Sequence, residues 1–147
     1  MKFLFIFFSF LLMAQNKDIE LIRKNYQKSV TDKKLCKEML QKFENEENNG
    51  TKLAYFGALQ SIWAKHANNP IEKLKYFKKG TKNIDQSIRQ QPDNLEARLI
   101  RYSIQTQSPG FLGYRSNIEE DKKLLQSGKK NIEDTVLKEM ITQILKI

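Results

Sequence analysis

Apolar residues recur at helical spacing along almost the whole chain after residue 15, and no segment shows the strict alternation of a half-buried strand. The clearest case runs from about residue 52 to residue 67, where nearly every position is apolar or small. A surface helix keeps a polar face, whereas a helix enclosed by its neighbours does not. The sequence therefore predicts an all-α fold with one enclosed helix around Phe56 to Trp63.

Polar breaks divide the chain into seven predicted helices. Asn69 followed by Pro70 marks one helix start, because Asn is a favoured cap and Pro suits the first turn. Asp93 and Ser116, each with a Glu three residues later, mark two more. Since the breaks are short, we expect neighbouring helices to run antiparallel as stacked hairpins, with a closed bundle as the alternative.

The first fourteen residues differ from the rest of the chain. Lys2 precedes an apolar run of about eleven residues that ends at Ala14. A membrane-spanning helix needs roughly 20 apolar residues, so this pattern is instead typical of a secretory signal peptide. We expect cleavage after Ala14, a single helical domain over residues 15–147 and a secreted or periplasmic protein without a membrane span. An uncleaved amphipathic anchor is the alternative, disfavoured because the run has almost no polar residues.

One segment resembles a known repeat. Residues 51–98 have the order helix, turn, helix, and then the sequence Pro, Asp, Asn, Leu, Glu, Ala, Arg from Pro92 onward. This pattern resembles the junction between two tetratricopeptide repeats. In that family small residues lie where the two helices cross, a Pro closes the second helix, and stacked repeats expose a groove that holds peptides. The resemblance implies a hairpin over about residues 51–92.

The resemblance also assigns structural roles to single residues. It places Gly57, Gly80 and Ser87 at the helix crossing. The chain departs from the family pattern after Pro92, because Arg101 and Tyr102 stand where the family prefers an apolar residue and a Gly.

Basic residues outnumber acidic ones, 26 to 17, which gives a formal charge of +9. Four of them share one helix face, which we call the lysine face: Lys75, Lys78, Lys79 and Lys82. Such a face is either plainly solvated or binds an anionic cell-envelope polymer. Nucleic acid is not expected, because an exported chain seldom meets it and the face has no Arg or aromatic residue.

The Ser108–Arg115 loop is the one place where composition departs from helix, with one Pro and two Gly among eight residues. We expect Phe111 and Leu112 to be buried, because burial of each side chain contributes roughly 1.5 to 3 kcal/mol. Tyr114 and Arg115 are then expected to border a binding surface. The alternative is that the loop presents its aromatic side chains and Arg115 to a partner.

Residues for catalysis or metal binding are few. The chain has one His, His66, and one Cys, Cys36, which lies on an apolar stripe and is expected to be a buried, inert thiol. A zinc or iron site usually needs several such ligands, and the sequence has no Gly-rich phosphate loop. We therefore expect no enzyme activity, metal or cofactor. The predicted function is that of an exported adaptor or scaffold for a protein or peptide partner, and the alternative is an envelope-polymer binder that uses the lysine face.

Overall fold

The computed structural model describes the backbone of residues 2–146 and the side chains of residues 16–146. Within that range the chain forms seven α-helices, two short 3₁₀ turns and no strand, which confirms the all-α prediction. The helices are α1 (Lys2–Ser29), α2 (Lys33–Glu44), α3 (Gly50–His66), α4 (Pro70–Gln90), α5 (Leu95–Gln107), α6 (Ile118–Gly128) and α7 (Thr135–Ile144).

The predicted signal peptide, residues 1–14, lies outside the residues whose side chains are described. No helix in the described part of the chain combines the length and the apolar character that a membrane span requires.

Helix α3 is the centre of the fold. Thirteen of its 17 residues are buried, and it contacts α1, α2, α4 and α5. The expectation of an enclosed helix is therefore confirmed. Trp63 differs from its neighbours because it is only half-buried, with its ring beside those of His66 and Tyr76. A second, smaller apolar cluster joins α5, α6 and α7 around Leu125 and Ile141.

The α3–α4 contact is built on small residues. A Cβ atom added to Gly57 would lie 2.5 Å from the carbonyl oxygen of Gly80, so the two backbones touch at this point. Ser87 donates a 2.6 Å hydrogen bond to the carbonyl oxygen of Gly50. Contacts run in opposite order along the two helices, since the early Gly50 meets the late Ser87 and the late Lys65 meets the early Lys73. The three small residues therefore lie at the contact between α3 and α4, as the resemblance implied.

The α5–α6 contact is built on charge. Asp121 is completely buried, and its carboxylate accepts hydrogen bonds from Arg98 Nη1 at 2.9 Å and from Arg101 Nε at 2.7 Å. Arg101 Nη2 adds a third at 2.8 Å. Arg101, where tetratricopeptide repeats prefer an apolar residue or Gly, is here one side of a buried ion pair.

A second polar contact joins α1 to α3 and α5. Glu96 accepts two 2.6 Å hydrogen bonds from the guanidinium of Arg23 and one, also 2.6 Å, from the Tyr55 hydroxyl. The bonds to Glu96 raise the pKa of Arg23 further, while burial and the Glu96 carboxylate hold the pKa of Tyr55 well above 10. Arg23 also reaches Asp134, the cap of α7, at 3.0 Å. One guanidinium thus joins the two apolar clusters.

Two predicted helix caps are wrong by one residue. Asn94, not Asp93, caps α5 through a 3.0 Å bond from the Ala97 amide. Asn117, not Ser116, occupies the N-cap position of α6; its side chain makes no capping bond, and its amide donates to the side-chain oxygen of Gln105 at 3.3 Å. Asn69 caps α4 as predicted, accepting from the Ile71 amide at 2.8 Å.

Candidate functional site

The Ser108–Arg115 loop is folded, but not as the sequence suggested. Phe111 is 88% exposed, so the expectation that it is buried is wrong. Leu112 is half-buried against the main core. The two residues share a 3₁₀ turn, Gly110–Leu112, in which adjacent side chains point in different directions, so only one of them reaches the core. Gly113 ends this turn at φ +70°, a backbone conformation that favours glycine.

Tyr114 anchors the far end of the loop. Its ring packs edge-on against Phe77 of α4, with centroids 6.1 Å apart, and its hydroxyl donates to Asp85 at 3.0 Å. Burial, together with the Asp85 carboxylate, raises the pKa of Tyr114, so the hydroxyl stays a neutral donor. Arg115, next in the chain, is exposed. The loop backbone is thus held by Leu112 and Tyr114, while Phe111 projects outward.

A groove of about 710 Å³ opens beside this loop, and we call it the apolar groove. Its walls come from the end of α1, the end of α3, the start of α4, the end of α5 and the loop. Phe111 lines the groove while almost fully exposed, and so stands at its mouth, together with Leu74, which is 45% exposed. The apolar side chains that form its interior include Val30, Ile62, Phe77, Ile104 and Leu112.

Two lysines supply the charge of the apolar groove. Among the described residues that line it, Lys65 and Lys73 are the only charged ones, and both are exposed. Lys73 Nζ lies 3.4 Å from the carbonyl oxygen of Lys65, which brings the two residues to the same edge. Neither lysine is in an ion pair with another described residue.

The predicted lysine face lies outside the groove. Its four members are on α4, all four are exposed, and no ion pair within the described part of the chain includes any of them. They therefore form a separate basic surface on the same helix as Lys73. The structure brings Ser108, Pro109, Phe111 and Leu112 of the loop to the apolar groove. The predicted site residues Tyr114 and Arg115 and the lysine face are not among the residues that line it.

A second groove, of about 900 Å³, lies between α1, α5 and α7, and we call it the mixed groove. Its lining carries both signs of charge, for example Glu20, Lys24 and Glu139. Arg23 also lines it but is already bound to Glu96 and Asp134. Its described lining has three acidic and three basic residues, so their formal charges cancel.

The residues with potential for catalysis are apart from both grooves. His66 has its Nε2 2.8 Å from the carbonyl oxygen of Ser29, and Cys36 is buried between α2 and α3. Among the side chains that the structure describes, no group of three or more His, Cys, Asp or Glu is placed to hold a metal ion.

Sequence reasoning missed the apolar groove because its walls come from five separate segments. Lys65 and Lys73 belong to the same basic stretch as the lysine face, and only the fold separates the two sets. Comparison with protein-family models, curated proteins and solved structures finds no match to this chain.

Proposed function

We propose that the protein is an exported adaptor that binds a protein partner through the apolar groove and Phe111, without catalysis. The observation that carries the proposal is the 88% exposure of Phe111 at the mouth of an apolar groove. Large apolar side chains grouped at a concave surface are typical of binding sites, and aromatic residues are enriched in interfaces.

The loop supports this function because it is ordered before any partner arrives. Leu112 and Tyr114 fix the backbone on either side of the exposed ring. A side chain presented from a fixed backbone loses less conformational entropy on binding than one on a mobile loop. Phe111 is thus placed as an anchor residue.

The proposed scaffold is a set of tetratricopeptide-like antiparallel hairpins, of which α3 and α4 form one over about residues 51–92. The opposite order of contacts along these helices and the glycine contact at Gly57 support this arrangement. Export to a secreted or periplasmic location rests on the signal peptide of residues 1–14. The intact mass of protein recovered from the native cell envelope tests it: a species beginning at Gln15 is expected, and a cytosolic species that keeps Met1 would contradict export.

The adaptor function is tested by affinity capture from cell-envelope extract. We expect a partner that is retained by the wild type and lost with Phe111→Ser. Val136→Ser is the matched control, because Val136 is also an exposed apolar residue, at 54%, but lies in the mixed groove. Equal capture by Phe111→Ser and the wild type would rule out the apolar groove as the binding site.

The alternative function is binding of an anionic envelope polymer by the lysine face. The observation in its favour is that all four lysines are exposed and outside any described ion pair. Such binding should weaken steeply as salt rises, whereas binding in the apolar groove should not. Retention of a dextran sulfate probe that is lost on changing all four lysines to Gln, but not with Phe111→Ser, would favour this alternative.

A further inference from the structure

We infer that the apolar groove takes a partner segment in which carboxylates flank the apolar side chains, and that these carboxylates meet Lys65 and Lys73. The inference rests on the proposed function and adds the chemistry of the partner. It starts from the two grooves, which differ in their charge more than in their size.

The apolar groove has cations without partners. Its two charged lining residues are both lysines, and neither forms an ion pair with a described side chain. The mixed groove instead carries acidic and basic residues together, and its arginine is bound to two carboxylates. The described lining of the apolar groove therefore has a net positive charge that an acidic partner can match, whereas the three acidic and three basic residues in the lining of the mixed groove cancel.

Burial makes that charge important. A partner that fills the groove removes water from beside the ammonium groups, and an ammonium group without a partner is costly in a less polar environment. A carboxylate at the same edge turns this cost into an attraction that is stronger there than in bulk water. Lys73 has donors left for it, because an ammonium group has three N–H bonds and only one is directed at the Lys65 carbonyl oxygen.

The same features disfavour two other occupants. A second copy of this chain carries a formal charge of +9, so its approach to a basic groove is opposed by repulsion. A flat bilayer surface would meet the exposed Phe111 but not the interior of a concave groove of about 710 Å³. A peptide segment has apolar side chains that enter the groove and carboxylates that stay at its edge.

The test uses two fluorescent 12-residue peptides with the same central Leu and Phe residues, one flanked by Glu and the other by Lys. Binding to the full chain is measured by fluorescence polarisation. We expect the Glu peptide to bind about tenfold tighter than the Lys peptide, as two partly exposed ion pairs allow. The double variant Lys65→Glu/Lys73→Glu should reverse this preference.

A matched control separates the local effect from net charge. Lys123→Glu/Lys130→Glu changes the charge by the same amount at two exposed lysines outside the groove, so it should keep the preference for the Glu peptide. Phe111→Ser should weaken the binding of both peptides by the same factor. Thermal unfolding of each variant, expected to match the wild type, shows that the fold is intact.

Any other outcome of these binding measurements contradicts the inference, and the outcomes can be told apart. Equal affinity for both peptides, or no binding of either, would overturn the inference of an acidic partner. The adaptor function would not be affected by that result, because the capture experiment with Phe111→Ser tests it separately. Loss of the preference in the Lys123→Glu/Lys130→Glu control shows a general charge effect and also overturns it. Displacement of the Glu peptide by phosphatidylglycerol vesicles, but not by neutral phosphatidylcholine vesicles, would assign the surface to a membrane instead.

Discussion

The α3–α4 and α5–α6 contacts bring two helices together by opposite chemistry. At the first, Gly57 and Gly80 let the backbones touch, and no ion pair among the described residues joins the two helices. At the second, Arg98 and Arg101 share the buried carboxylate of Asp121. The first contact has no room for an added atom, whereas the second cannot lose a charged partner. Substitutions that add volume should therefore weaken the first contact, and substitutions that remove charge should weaken the second.

The largest effect is expected from Asp121→Ala. It leaves Arg98 and Arg101, which are less than 10% exposed, without their shared partner. Breaking a buried ion pair from one side typically costs about 3–5 kcal/mol of stability. Urea unfolding at pH 7 measures this loss. Glu120→Ala is the control, because Glu120 contacts the same two arginines but its side chain is 54% exposed, and we expect a loss of about 1 kcal/mol at most. Similar losses in both variants would contradict the ranking.

A smaller loss is expected from Gly80→Ala. The new methyl group would overlap the carbonyl oxygen of Gly57 and the side chain of Ser61, so the helices must move apart. Overpacking of this kind typically costs about 1–3 kcal/mol. Thr81→Ala, at the adjacent and less buried position, should change stability by about 0.5 kcal/mol or less. If Gly80→Ala and the wild type have the same urea midpoint of unfolding, the backbones of α3 and α4 do not touch as described.

The smallest effect is a change in pH dependence at the α5–α6 contact. A hydrogen bond from Asn117, with the charges of Arg98 and Arg101, lowers the pKa of Glu120 from its usual 4.5. Ionised Glu120 therefore stabilises the fold above about pH 4.5, and this contribution is lost as the pH falls through its lowered pKa. Glu120→Gln should be less stable than the wild type by about 0.5 kcal/mol at pH 7.

The difference between Glu120→Gln and the wild type should shrink in acid. Unfolding midpoints measured from pH 7 downward should converge for this pair as the pH falls through the lowered pKa of Glu120, because the wild-type carboxylate then takes up a proton. The deficit of Gly80→Ala should persist over the same pH range, since no carboxylate contributes to that contact. A gap for Glu120→Gln that stays constant would show that its charge is not involved.

The same two contacts show what a sequence can predict. The positions of Gly57, Gly80 and Ser87 were predictable through the resemblance to tetratricopeptide repeats, in which small residues lie where the two helices cross. The pairing of Arg101 with Asp121 was not, because the residues are 20 positions apart and a buried arginine looks like an exposed one in sequence. The caps were misplaced by one residue where two capping residues are adjacent, as at Asp93 and Asn94.

The loop shows a different limit. The free energy of burial favours an interior position for both Phe111 and Leu112. It does not determine which of these two neighbouring side chains faces inward. That choice depends on the backbone of the 3₁₀ turn and on the anchor at Tyr114, which in turn needs Asp85 from another helix. The apolar groove also depends on tertiary structure, because its walls come from separate segments. Lys65 and Lys73 are visible in the sequence as basic residues, but the sequence does not show that they line a groove.

The single thiol gives this chain a built-in reporter of local opening. Cys36 is fully buried on α2, and its Sγ donates to the carbonyl oxygen of Leu59 on α3 at 3.7 Å. Burial raises the pKa of Cys36 to about 12, so almost no reactive thiolate exists while the two helices are together. Alkylation of the unmodified protein in native buffer should therefore require α2 to separate from α3. When the helices close again faster than the reagent reacts, the ratio of this rate to the rate for the unfolded chain gives the opening free energy of the helix pair without any added label.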